Sequence, residues 1–177
     1  MAIYETVERR LTRAEDIHEG VWVCLTAPDA EEVREVSCQL DIEPADLRAA
    51  LDPEESARIS LEDGYTLIIV DIPVKVRDAG EGIYTTIPLG ILLTQSLIIT
   101  VCSVDTPVVS DFASCRVRGF STRKKMRFVY QLLYRAATMY QQELRLIDRR
   151  RQELEKHLTG TLRDSDLMEL HGLESTL

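Results

Sequence analysis

The stretch Asp52–Arg77, "DPEESARISLEDGYTLIIVDIPVKVR", sets the terms for the rest of the chain. Arg58 to Glu62 alternates polar and apolar residues, Asp63 and Gly64 supply a two-residue hairpin turn, and Tyr65 to Val76 is a long strand. The middle of that strand, Leu67 to Val70, is continuously apolar. A strand that is apolar on both faces must be covered on both faces, so a sheet with helices on either side is expected.

The flanking segments supply what such a sheet needs. Downstream, the charge-free run Ile83–Val104, "IYTTIPLGILLTQSLIITVCSV", has the length of a membrane span, about 20 residues. Thr94, Gln95 and Ser96 interrupt it between two β-branched runs, so it reads as a second hairpin of buried strands, Tyr84 to Ser103, after the polar loop Arg77–Gly82. Upstream, Ile3–Val7 and Val21–Ala27 are further strands. Asp29 is placed to cap a helix whose first turn carries Glu31 and Glu32 and whose inward stripe is Val33, Val36 and Leu40. Pro44 opens a second short helix through Leu51, with Ile42, Leu47 and Leu51 facing in, and Val108–Ala113 makes a third. The sheet is expected to be mixed, with mostly antiparallel neighbours.

From Thr122 to Leu158 the pattern becomes helical, with Met126, Val129, Leu133, Ala136, Tyr140, Leu144, Ile147, Leu154 and Leu158 at steps of three and four and Arg151 filling one gap. Such a helix of about 37 residues is about 55 Å long. Phe128, Leu132, Met139 and Leu146 widen the apolar face of its first half, which is expected to pack on the sheet, while the second half projects. Gly160 breaks the pattern, Ser165 and Asp166 offer new caps with Glu169 three residues after Asp166, and Leu167, Leu170, Leu173 and Leu177 share one face of a returning helix. The expected organisation is a sheet domain over 1–121, a long helix over 122–160, and the start of an antiparallel helix over 161–177.

Composition narrows the function. With 21 basic and 30 acidic residues the chain carries −9, which argues against a general nucleic-acid binder. The segment running most strongly the other way is Arg116–Arg127, "RVRGFSTRKKMR", with six basic residues, expected to be a solvated loop and helix start. Four scattered cysteines, Cys24, Cys38, Cys102 and Cys115, form no C-x-x-C pair and, without an apolar leader, read as reduced thiols of a cytoplasmic protein. His18, His157 and His171 lack partners at metal-ligand spacing. No phosphate loop, nucleophile elbow or Cys–His pairing is legible, so the chain is not expected to be an enzyme or to hold an organic cofactor. The informative polar feature is acidic: Asp52, Glu54 and Glu55 together after a helix, and Asp164 and Asp166 near the hairpin tip. Such oxygen ligands suit Mg²⁺, which keeps most of its waters and takes one or two carboxylates.

Four stretches in this order carry a resemblance: "WVCLTAPDAEEVREV" from Trp22, "LDIEPADLRAALDPEESARISLEDGYTLIIVDIPV" from Leu40, "YTTIPLGILLTQSLIITV" from Tyr84, and "LRDSDLMELHGLESTL" from Leu162. Together the chain resembles the cytoplasmic N-terminal domain of the CorA-type magnesium transporter family. The resemblance implies an α/β/α layered domain with a mixed sheet, followed by long helices. It implies a homopentameric divalent-cation channel in the cell membrane, with this domain on the cytoplasmic side and a stalk helix leading to two membrane helices and a Gly-Met-Asn pore signature. Neither the triplet nor a hydrophobic span occurs in these 177 residues, which are therefore expected to be cut before the membrane helices and not to conduct ions alone. The family's regulatory Glu-Asp pair falls on Arg48 and Ala49, and a further acidic position falls near Met139, so Asp52, Glu54 and Glu55 are the expected substitutes as Mg²⁺ ligands. A zinc-transporting branch of the superfamily and a protein-binding adaptor are the alternatives.

Overall fold

The computed structural model describes residues 1–8, 10–76 and 84–157, the last four by their backbone alone. The elements are β1 (Ala2–Val7), β2 (Arg10–Arg13), β3 (Trp22–Thr26), α1 (Ala30–Leu40), α2 (Pro44–Ala49), β4 (Arg58–Leu61), β5 (Tyr65–Lys75), β6 (Tyr84–Thr94), β7 (Ile98–Cys102), α3 (Pro107–Ala113) and α4 (Lys125–His157). The strands form one sheet in the order β2-β1-β3-β7-β6-β5-β4. Only β3 and β7 pair in parallel, Trp22 opposite Ile98 through Thr26 opposite Cys102, so the sheet is mixed and largely antiparallel as expected. The edge strand β2 was not expected; its "RLTR" has one apolar residue and is held by pairing with β1 rather than by burial.

Strand alternation sends successive side chains to two separate cores. Val23 and Leu25 of β3 meet Val33 and Val36 of α1 and Ile42, Leu47 and Ala50 around α2, together with Leu67, Ile69 and Leu92. Trp22 and Cys24, one residue out of phase, face Val108, Val109 and Phe112 of α3 and Phe128, Val129, Leu132 and Ala136 of α4. The result is an α/β/α sandwich. Asp29 caps α1 as expected: its Oδ1 accepts from the Glu31 and Glu32 amides at 2.9 and 2.8 Å, and Glu32 accepts from the Asp29 amide at 3.3 Å in return.

The second core is organised by the single tryptophan. Trp22 is fully buried, stacks on Tyr4 with ring centroids 5.0 Å apart, and meets Phe128 edge-on at 5.0 Å and Phe120 at 5.8 Å. Its indole N–H donates to Thr100 Oγ1 at 2.9 Å, so burial leaves no polar group unpaired.

This aromatic cluster corrects the expected inward stripe of the long helix. Phe128 and Leu132, read as the margin of the apolar face, are completely buried, whereas Met126 and Leu133, read as its centre, are 72% and 38% exposed. Val129 and Ala136 of that stripe are buried as expected and Arg127, Gln131, Arg135 and Thr138 mark a polar side, but the apolar arc is wider than the face that is buried, and the rings of Trp22, Phe112 and Phe120 draw Phe128 inward. Past Tyr140, Ile147 is the buried hydrophobic residue among those described, and Leu144 and Leu146 are about half exposed. The Arg77–Gly82 loop, the Ser165 and Asp166 caps and the returning leucines lie outside the described residues.

Two prolines sit inside long strands, Pro73 in β5 and Pro88 in β6. Their placement follows from sheet geometry. β4 covers β5 only from Thr66 to Ile69, and β7 covers β6 only from Leu89 to Leu93, so both prolines lie where their strand has become an edge and a missing N–H breaks no ladder on the open side. Gly90 has a different reason to be small. An added Cβ would stand 2.5 Å from the Cβ of Ala50, at the end of α2, so this glycine is what lets α2 settle directly on the sheet.

Candidate cation site on the α2–β4 connection

The acidic loop is positioned by α2, and α2 is positioned by a tyrosine from the sheet. Glu43, before Pro44, gives α2 no side-chain cap. Tyr65 of β5 fills that role: its hydroxyl accepts from the Glu43 amide at 3.3 Å and donates to Asp46 Oδ2 at 2.6 Å. Burial, and then the carboxylate acceptor, push the phenol up to about 12. The other end of α2 rests with Ala50 on Gly90, and the chain then turns through Leu51 N–H to Arg48 carbonyl, 2.8 Å, and Asp52 N–H to Ala49 carbonyl, 3.2 Å. Tyr65 and Gly90 thus hold the two ends of the helix that delivers Asp52.

The three predicted ligands sit together in sequence but in different environments. Asp52 is exposed and its Oδ1 accepts from the Glu54 amide at 3.0 Å, a turn-stabilising contact that leaves the second oxygen open. Glu54 is exposed, and its carboxylate has no hydrogen-bond or ion-pair partner among the described residues. Glu55 is half-buried and already engaged: its Oε1 accepts from the Ser56 amide at 3.1 Å and pairs with Arg58. Asp52 and Glu54 are therefore the carboxylates with oxygens to offer. Among the described residues no group of three or more His, Cys, Asp or Glu is arranged to hold a metal ion.

The positions to which the resemblance assigns regulation are not brought together within one chain. Arg48 is exposed and Ala49 half-buried on α2, over one face of the sheet, and Met139 packs with the core on the opposite face. One turn beyond Met139 stands Glu143, which the sequence reading did not single out. Its Oε2 is buried and without a hydrogen-bond partner, and the Tyr84 hydroxyl beside its carboxylate is pushed up to about 12 by burial first and by that carboxylate second. The signal that marks it was present: a Glu at i+4 from the matched position on the same helix face.

The remaining candidate thiols and imidazoles separate by burial. Cys24 and Cys102 are packed inside strands, where burial raises their thiols, while Cys38 and Cys115 are exposed rather than packed; all four are free. His18 lies with Nε2 3.7 Å from Glu5 Oε2 and Nδ1 3.1 Å from the Glu19 carbonyl, and His171 lies outside the described residues. Among the described residues no helix is long and apolar enough to cross a membrane.

Comparison with known proteins adds what geometry alone does not. A family model described as CorA-like Mg²⁺ transporter protein matches residues 18–177. The cobalt/magnesium transport protein CorA of Methanocaldococcus jannaschii is 27% identical over 167 residues, which cover 89% of this chain and 49% of that protein. This chain thus spans about half the length of that curated relative. In fold, the complete CorA magnesium transporter of the same organism superposes with a TM-score of 0.83 at 21% identity, covering 99% of this chain and 56% of the other. Its soluble domain gives 0.83 at 22% identity over 99% and 70%. The ZntB cytoplasmic domain of Vibrio parahaemolyticus gives 0.72 at 13% identity over 97% and 69%.

Proposed function

Because this chain belongs to the CorA-like Mg²⁺ transporter family, we propose that it is the cytoplasmic regulatory and assembly domain of a homopentameric magnesium or related divalent-cation transport protein. The observation that carries the reading is the placement of α2 and α4 on opposite faces of one sheet. Residues on α2 and on α4 meet only if a second copy brings its helix to the first copy's loop, which is how a cation between subunits reports on assembly. The acidic loop fits this role, since Asp52 and Glu54 present unneutralised oxygens at the surface and a Mg²⁺ ion needs only one or two carboxylates besides its waters. Glu55 sets the loop through Arg58 and is the weaker ligand of the three.

Cation bound between subunits screens carboxylates that otherwise repel, and its loss lets the subunits separate. In this reading the domain senses the ion at the cytoplasmic face of the cell membrane, and the ion path lies in membrane helices beyond this chain. Limited proteolysis of the intact transporter across a Mg²⁺ titration tests it. Protection is expected to rise with Mg²⁺ and to disappear when Asp52, Glu54 and Glu55 are replaced by Asn, Gln and Gln; unchanged protection in that variant removes the loop from the mechanism. The same titration with Zn²⁺ separates the zinc-transporting branch, for which protection at lower Zn²⁺ than Mg²⁺ concentration is the expected sign.

A further inference from the structure

The six cations of Arg116–Arg127 do not act as one patch, and the structure sorts them. Arg116 pairs with Asp111 Oδ1 at 2.9 Å. Lys125 Nζ donates to the Thr94 carbonyl at 2.8 Å and to that of Gln95, fastening α4 to the β6–β7 turn. The stem of Arg123 covers Gly20, where an added Cβ would meet its Cγ at 3.3 Å. Arg118 is exposed. Lys124 and Arg127 remain, with no carboxylate or carbonyl partner among the described residues, and both line one cavity of about 510 Å³.

That cavity combines in its lining the apolar Leu11, Val117 and Phe120 with the polar Ser121 and the cations Lys124 and Arg127. Among the described residues no acidic side chain lines it, although acids outnumber bases 30 to 21 along the chain. Lys124 and Arg127 are both exposed, and the Arg127 guanidinium lies against the backbone of Gly119, at φ +68°, where a Cβ would stand 2.7 Å from Nη2. A methyl there would push the guanidinium away. Two unpaired cations in a concavity, at the start of a helix with no acidic residue in its first turn, repel each other and the positive helix end, an arrangement that a bound anion relieves. The volume falls within the range of small-molecule sites, about 300 to 1,000 Å³.

We propose that this cavity binds a phosphate monoester attached to an apolar or aromatic group. The phosphate sits on Lys124, Arg127 and the Ser121 hydroxyl, and its organic part lies against Leu11, Val117 and Phe120. Two sources share this chemistry, a soluble nucleoside monophosphate and the headgroup of phosphatidic acid. Cys115, exposed and among the lining residues, gives a direct readout, and exposed Cys38 on α1 is an internal reference.

The test is the rate of iodoacetamide alkylation at both cysteines of the 177-residue chain, read by peptide mass spectrometry, with adenosine monophosphate as one probe and vesicles as the other. The vesicles are phosphatidylcholine with and without phosphatidic acid. Saturable slowing at Cys115 but not Cys38 is expected with the nucleotide if the source is soluble, or only with the phosphatidic acid vesicles if the source is lipid. Lys124→Gln with Arg127→Gln is expected to raise the half-protecting concentration about a hundredfold or more, since each charge-assisted contact contributes about a factor of ten or more. Arg118→Gln, which removes a cation of the same stretch outside the lining, is expected to leave protection unchanged. No protection by either probe, equal protection in the double variant, or an equal loss in Arg118→Gln overturns the proposal.

Discussion

Gly90→Ala puts a sign, as well as a size, on the packing that positions the acidic loop. In a strand interior, replacing glycine by alanine ordinarily stabilises by about 0.5–1 kcal/mol, because the unfolded chain loses freedom. Here the new Cβ stands 2.5 Å from the Cβ of Ala50, which is itself fully buried. Carbon atoms in contact sit about 3.5–4.0 Å apart, so α2 must retreat by about 1 Å or the strand must bend. Overpacking of this kind costs about 1–3 kcal/mol, which outweighs the entropic gain and leaves a net destabilisation of about 0.5–2 kcal/mol. Ala50→Gly removes the opposing methyl at a cost of about 1 kcal/mol by itself, and in the double variant it is expected to recover at least about 1 kcal/mol of coupling. Urea unfolding followed by the fluorescence of Trp22, the only tryptophan, measures all three. A Gly90→Ala protein as stable as the parent or more so, or a double variant that is simply additive, refutes the claim that Gly90 seats α2.

Two further substitutions probe how the layers are tied. Burial first, and the bond to Asp46 second, push the Tyr65 hydroxyl from 10.0 to about 12, so the stability that the neutral phenol contributes is fully present below pH 10 and is lost as pH climbs toward 12. Tyr65→Phe is expected to be less stable by about 1 kcal/mol at neutral pH and to show a shallower loss above pH about 10, with the slope that remains reporting Tyr84, Tyr140 and the buried thiols of Cys24 and Cys102, all raised by burial; a variant with the parent's alkaline slope contradicts the assignment. Asp111, nearly buried at the end of α3, pairs with Arg116 and with Arg135 of α4. Both arginines reach water, so Asp111→Ala is expected to cost about 1–2 kcal/mol in the same unfolding assay rather than the about 3–5 kcal/mol of a fully buried pair; no loss would mean the pair does not tie α3 to α4.

The candidate cation loop was legible by position and composition, and the structure added an unequal division of labour within it. Three acids in a short run predict oxygen ligands, but only coordinates show that Arg58 occupies Glu55 while Asp52 and Glu54 have no ion-pair partner among the described residues. The i+4 spacing that puts Glu143 on the face of Met139 is shared by other charged residues of α4, so it did not mark this Glu by itself; its buried oxygen, without a hydrogen-bond partner among the described residues, is a property of what packs around it. The basic stretch likewise read as one solvated run, since sequence lists charges without saying which of them find partners.

What the sequence determined by itself is local. Apolar alternation placed the strands, Asp29 with Glu32 and Pro44 placed the starts of α1 and α2, and the two-faced apolar run in β5 required a covered sheet, because these follow from backbone period, capping and the burial each segment demands. Tertiary structure decided what depends on which segments meet: the parallel union of β3 with β7, the pairing that makes β2 a strand, the side of α4 that Phe128 turns toward Trp22, and the setting of α2 and α4 on opposite faces. A helix whose apolar arc is wider than the face it buries satisfies its own pattern in several orientations. The choice among them is made by contacts between residues distant in the chain, here the fit of Phe128 against Trp22, Phe112 and Phe120.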